Sequence, residues 1–231
     1  MKYLKNIKSF FFHKRIRYHD VKKFLNPGDL FFDVGAHLGS KSKELIKNKI
    51  KVVMIEPQPE CLNELRKLYS NNPLVTILPI GLGKTKQKLE MSINTKQPVI
   101  STFAAHWKTG RFSNSKWDKK ITVDISTLDE LIIEFGDPKF IKIDVEGFEH
   151  EVLLGLTKKT GIISFEFASE FIEDAYKSID YLTSLGYSDF NYSLGERRKF
   201  YGQWSNADTI KENIGNNIKQ DNLLWGDFYC M

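Results

Sequence analysis

Several things are scarce in this chain of 231 residues. It holds only two cysteines, Cys61 and Cys230. They have neither the number for a disulfide framework nor the spacing of a metal site, so a reducing cytoplasm is the expected setting. Apolar runs are short: Phe10–Phe12 is the longest near the amino terminus, too brief for a signal-peptide core or a membrane span. Internal repeats and domain-sized linkers are absent. The net charge of +5 is modest, permitting an anionic partner without demanding one. With 41% hydrophobic and 27% charged residues, the composition is that of a globular protein long enough for one α/β domain with a real core.

Two phosphate-binding patterns are missing as well. Leu30–Ser42, LFFDVGAHLGSKS, reads as a buried strand passing through a glycine turn into a helix, a geometry that lets a ligand approach the backbone. Yet Gly35 and Gly39 do not make G-x-G-x-x-G. They also fall one residue short of the NTPase loop, and Ser40 displaces Lys41 from its place. Backbone donors so placed would fit a triphosphate poorly, although the apolar strand of FIKID, ending in Asp144, imitates a magnesium-binding one. The second strand, KVVMIE, ends in Glu56, 23 residues after Asp33. An acidic residue there can accept both ribose hydroxyls of an adenosine. A site that provides for a ribose and poorly for phosphates points to S-adenosylmethionine (S-adenosyl-L-methionine).

Taken together, FFDVGAHLGSKS, IEPQPECLNEL, STLDELI and above all FIKIDVEGFEHEVLLGL resemble the FkbM-type methyltransferases, over roughly Leu30 to Phe167. DVGA-x-x-G and EP-x-P are shared widely among methyltransferases; KIDVEG-x-E-x-x-VL-x-G is the specific part. His37 stands where that family usually has Asn. The resemblance implies a Rossmann-like class I α/β fold, a mostly parallel seven-stranded sheet with an antiparallel last strand. It also implies O-methylation of sugars or other small hydroxylated molecules.

On this reading the cofactor is held by Asp33, Gly35, Ala36 and Gly39 of the first turn, by Glu56 and Pro57, and by Gly81 and Leu82. The last two close the expected third strand, LVTILPIG, near the adenine. Methyl transfer needs alignment and, for a hydroxyl acceptor, a nearby base. Asp144, Glu146 and His106 are the candidates, in that order. A D-x-E-x-x-E-H cluster could hold a cation, but no second ligand group is apparent in the sequence, and no metal is expected.

The remaining chain supplies further expectations. Gln87–Ile93 and Ile121–Ile125 read as additional strands, Thr127 and Gly136 as the ends of a helix, and Asn206–Asn222 as a long polar surface connection. Ser101–Lys120 carries five Lys/Arg among Phe103, Trp107, Phe112 and Trp117, and reads as a lid over the acceptor. Residues 1–26 form a basic helical extension to the single domain of 1–231, with eight Lys/Arg and one acid in the first 25 residues. Packing against the domain is favoured over contact with a membrane surface. The expected partner is a small-molecule or saccharide acceptor. Two alternatives stay open. A nucleic-acid methyltransferase, suggested by the basic lid and amino terminus, is disfavoured as to its partner. A P-loop-like nucleotide-binding protein is disfavoured by the glycine spacing.

Overall fold

A computed structural model of the chain describes residues 21–109, 112–195 and 199–231. The basic extension therefore lies mostly outside the described residues. Its last part, Val21–Phe24, is a single 3₁₀ turn with Val21 buried and Phe24 against the rings of Phe200 and Trp204.

Among the described residues, ten strands and six α-helices follow. The strands are β1 (Leu30–Val34), β2 (Lys51–Ile55), β3 (Val75–Leu78), β4 (Gly81–Leu82), β5 (Gln87–Ile93), β6 (Lys119–Ser126), β7 (Phe140–Ile143), β8 (Ile162–Ala168), β9 (Phe190–Leu194) and β10 (Trp225–Cys230). The helices are α1 (Lys43–Lys47), α2 (Pro59–Tyr69), α3 (Leu128–Phe135), α4 (Glu149–Leu153), α5 (Ile172–Ser184) and α6 (Ala207–Ile218). Seven strands make one sheet in the order β3-β2-β1-β7-β8-β10-β9, parallel except for β10, which runs antiparallel to both neighbours. This is the class I methyltransferase sheet expected from the sequence. The order reverses between β1 and β7, which opens the ligand crevice at their carboxyl ends.

Strand alternation explains why the central strands read as continuous apolar runs. On β1, Phe32 and Val34 face a core completed by α3, α4, α5 and α6, while Phe31 faces a second core with Leu45 of α1 and Leu65 of α2. The side that holds Phe31 also carries a buried polar row. Asp33 on β1 pairs in register with Lys142 on β7, which pairs with Ser164 on β8.

Two sequence expectations need correction. The third strand does not run from Leu74 to Gly81: it stops at Leu78, and Gly81–Leu82 joins a separate three-stranded sheet, β4-β6-β5. Pro79 supplies no N–H for the ladder, which is a physical reason for the break. The two additional strands pair with each other in that small sheet around Met91, Ile93, Val123 and Ile125. Asn206–Asn222 is no loop but mostly helix α6. Asn206 caps it by accepting from the Thr209 N–H at 2.9 Å, and Ile210 and Ile214, one turn apart, are buried. The expected ends of α3 match the structure: Thr127 Oγ1 accepts from the Glu130 N–H at 3.1 Å, and Gly136 leaves the helix at φ 94°.

Candidate active site

A cleft of about 380 Å³ opens at the carboxyl ends of β1, β2, β7 and β8, roofed by the small sheet and the segment between β5 and β6. Its two ends differ in chemistry.

The first end is built by the turns after β1 and β2. Gly35 adopts φ 80°, and a Cβ there would lie 1.9 Å from the Asp144 carbonyl oxygen, so only glycine lets the two turns meet. The N–H groups of Gly35 and Ala36 donate to the Ile55 carbonyl at 3.0 and 3.1 Å, which fixes the turn against β2. Glu56 is buried. One of its oxygens accepts from the His37 N–H at 2.8 Å and the other from the Gln58 N–H at 2.9 Å. Burial pushes its carboxyl up to about 7, against the pull of those two donors. Each oxygen keeps a second lone pair, enough to receive two ribose hydroxyls. Ala36, Glu56, Pro57, Gly81 and Leu82 line the cleft, as Gly35 does.

Two other residues expected to hold the cofactor support the turn from beneath instead. Asp33 is fully buried under the cleft and accepts from the Ser42 hydroxyl at 2.5 Å. Gly39, at φ 70°, packs where a Cβ would meet Leu65 and Tyr69 at 3.0 Å. Lys41, which a P-loop reading would aim at phosphate, is ion-paired to Asp144. A nucleoside carrying an amino acid suits this end; a triphosphate lacks its cation.

The second end is the turn after β7. Each position of KIDVEG-x-E has a task. Lys142 is buried and its ammonium donates to Asp227 on β10 at 2.5 Å. Asp144 holds Lys41 and lies 3.9 Å from the Lys142 ammonium. Glu146 takes φ 56° and its carbonyl accepts from the Thr102 hydroxyl at 2.7 Å. Gly147, at φ 91°, lies so close under the Trp107 ring that a Cβ would come within 2.6 Å of it. Glu149 reaches back to accept from the Val145 and Gly147 N–H groups at 2.9 and 3.3 Å; burial raises its carboxyl to about 7.

A third acid joins this end from β8. Glu166 interrupts the apolar run IISFEFA and faces the cleft, and its carboxyl is pushed well above the usual range by burial and by Asp144 and Glu146. Asp144, Glu146 and Glu166 each bring a carboxylate oxygen within 4.8 Å of the other two. Such spacing would also suit a divalent cation, but on the Asp144 side the countercharge is already the Lys41 ammonium. The sequence reading missed Glu166. The available signal was a lone acid in a strand that should be buried on both faces.

His106 does not line this cleft. Its Nε2 lies 3.6 Å from Asp174 and its ring meets Phe171 edge-on, beside a small cavity behind Trp107. In the segment expected to be a lid, Trp107 is buried and packs on Phe112 and Phe171 at 5.2 and 5.4 Å between ring centres. The segment is thus anchored by its aromatics, and Phe103, Trp107 and Phe112 form a wall of the cleft. Arg111 lies outside the described residues.

The Methyltransferase FkbM domain profile matches residues 33–188 of this chain. The chain belongs to the FkbM methyltransferase family. S-adenosylmethionine is accordingly its cofactor, and the ribose-ready Glu56 and phosphate-poor turn fit that molecule. Among curated relatives of this FkbM chain, Hexuronic acid methyltransferase AglP of Haloferax volcanii is 29% identical over 140 residues, which cover 59% of this chain and 54% of that protein. The chain thus spans about half the length of that relative. Among solved structures, the precorrin-6y C5,15-methyltransferase of Geobacter metallireducens superposes with a TM-score of 0.46 and 13% identity, covering 90% of this chain and 81% of that one. Aeropyrum pernix fibrillarin, with natively bound S-adenosyl-L-methionine, gives 0.46 and 8%, covering 89% and 67%.

Proposed function

We propose that this FkbM-family methyltransferase transfers a methyl group to a hydroxyl of a saccharide or similar small molecule. The observation that carries the reading is the second end of the cleft, where carboxylates on the tips of adjacent strands face an aromatic wall. Carboxylates receive hydroxyl protons and hydrogen bonds, and aromatic faces receive sugar rings. The hexuronic acid relative supports the saccharide class. Three acids around the reacting position oppose a polyphosphate backbone, which sets the nucleic-acid reading behind this one.

In this scheme Glu56 binds the ribose, Gly35 and Ala36 let the cofactor lie against the backbone, and Pro57, Gly81 and Leu82 border the adenosine. When bound, S-adenosylmethionine supplies a methyl group on a sulfonium whose sulfur keeps the bonding electron pair. Asp144 and Glu146 orient the acceptor, with Asp144 pinned by Lys41. Trp107 and Phe112 exclude water and receive the acceptor's apolar face. Because His106 sits behind Trp107, it stands after the carboxylates as a proton acceptor. No divalent metal is required in this scheme, since the Lys41 ammonium already holds Asp144. The described residues act as one methyltransferase domain, and the two buried, unpaired thiols suit a reducing cytoplasm. No described helix is long and apolar enough to cross a membrane.

The test is incubation with S-adenosylmethionine and a panel of hexuronic acids, neutral hexoses and amino sugars, with products read by mass and by the position of the new methyl. O-methylated products support the reading. Methylation of amines alone would refute it.

A further inference from the structure

We propose that Glu166 is the group that takes the acceptor hydroxyl's proton, an assignment that rests on the O-methylation reading above. Geometry separates it from its two neighbours. The carboxylate of Asp144 is engaged by Lys41, with Lys142 also close. A carboxylate held by an ammonium is a weak base. Glu146 belongs to the turn itself, in a left-handed conformation fixed by Thr102 and by Trp107 on the next glycine. Glu166 comes from the adjacent strand, on a rigid element. Its carboxylate has no hydrogen-bond or ion-pair partner among the described residues, yet it lies within 4.8 Å of both other acids and lines the cleft.

The groups around it settle its basicity. From β7 it faces Lys142, from the turn after it Asp144 and Glu146, and from β10 Asp227, its register partner. Behind it, a cavity of about 20 Å³ is shared with His106, Glu149, His150 and Asp174. Three of the four charged groups facing it directly are acids, and Lys142 is bound to Asp227, so burial and like charge both favour the protonated form. The cluster titrates as a unit rather than as isolated groups. The raised proton affinity makes the ionised form of Glu166 a stronger base than an ordinary glutamate. In the step, the O–H bond of the acceptor breaks as its oxygen takes the methyl group, the proton passes to a Glu166 oxygen, and it leaves for solvent afterwards. The cavity behind has room for about one water to carry it.

Two measurements decide the assignment. The first needs no acceptor: carboxyl-¹³C NMR titration of the full chain, with Glu166→Gln identifying the resonance. Glu166 should titrate above the ordinary glutamate range, and a midpoint at or below about 4.5 overturns the proposal. The second compares kcat and its pH profile for wild type and Glu166→Gln on the panel of hexuronic acids and hexoses. The variant should lose about 10²–10⁴-fold in kcat, together with the pH-dependent limb, while S-adenosylhomocysteine affinity stays within about twofold. Hydroxyl methylation by Glu166→Gln at the wild-type rate overturns the assignment alone. Wild type that methylates only amines overturns the O-methylation reading, and this assignment with it.

Discussion

The two ends of the cleft are made by the same device, a strand running into a turn at the carboxyl edge of the sheet, and they treat their carboxylates in opposite ways. At the β1–β2 end, Glu56 is satisfied before any ligand arrives, by one backbone N–H on each oxygen. At the β7–β8 end, three carboxylates crowd within 4.8 Å of one another, and the ammonium groups beside them, Lys41 and Lys142, lie against Asp144. The first arrangement suits holding a neutral, hydroxyl-rich nucleoside in place. The second stores proton affinity, which is what a transfer site needs and a binding site does not.

The strongest way to break this contrast is to remove the charge beneath the second end. Lys142→Met leaves Asp227 buried without its partner and should destabilise the fold by about 3–5 kcal/mol, read by urea unfolding. Added Asp227→Leu should recover much of that loss. An effect below about 1 kcal/mol would mean that the ion pair contributes little and that the second end is not charge-balanced from below.

Next in size comes a pH effect. Glu56 and Glu149 hold their protons up to about 7 in the folded chain, against an ordinary 4.5. Between those values the folded state binds more protons than the unfolded, so stability falls as pH rises through that window. Each carboxyl accounts for about 3 kcal/mol at most. Glu149→Gln, whose amide oxygen can still accept from Val145 and Gly147, should flatten the decline between pH 5 and 7. An unchanged slope would show that Glu149 is ionised throughout.

The smallest expected effect is none at all. A strong chelator should leave methyl transfer unchanged, because the Lys41 ammonium already holds Asp144 at the second end. Activity lost on chelation and restored by magnesium would convert the three-acid cluster from a proton store to a cation site.

These contrasts were unequally legible in the sequence. Glu56 could be read because its distance from the first turn and the proline after it are local features. The seven-stranded sheet with its antiparallel last strand followed from the family resemblance, and the ends of α3 from Thr127 and Gly136. Glu166 could not be read as a partner of Asp144, since 22 residues separate them and only the β7–β8 register brings them together. His106 looked better placed than it is, because nothing local shows that Trp107 turns inward and leaves its neighbour behind it. The polar surface of α6 hid a helix tied to the core by the buried Ile210 and Ile214, with Ala207 and Ile218 packed partly against it.

The central claim is that Glu56 holds the cofactor's ribose at the end of the cleft opposite the reacting groups. Isothermal titration of the full chain with S-adenosylhomocysteine tests it most directly. Glu56→Ala should weaken binding by about 1–3 kcal/mol, as expected for charge-assisted hydrogen bonds. Wild-type binding should also tighten as pH rises through about 7, where the carboxyl ionises, and the variant should lack that dependence. Equal affinity in both proteins across that pH range would contradict the account and remove Glu56 from the site.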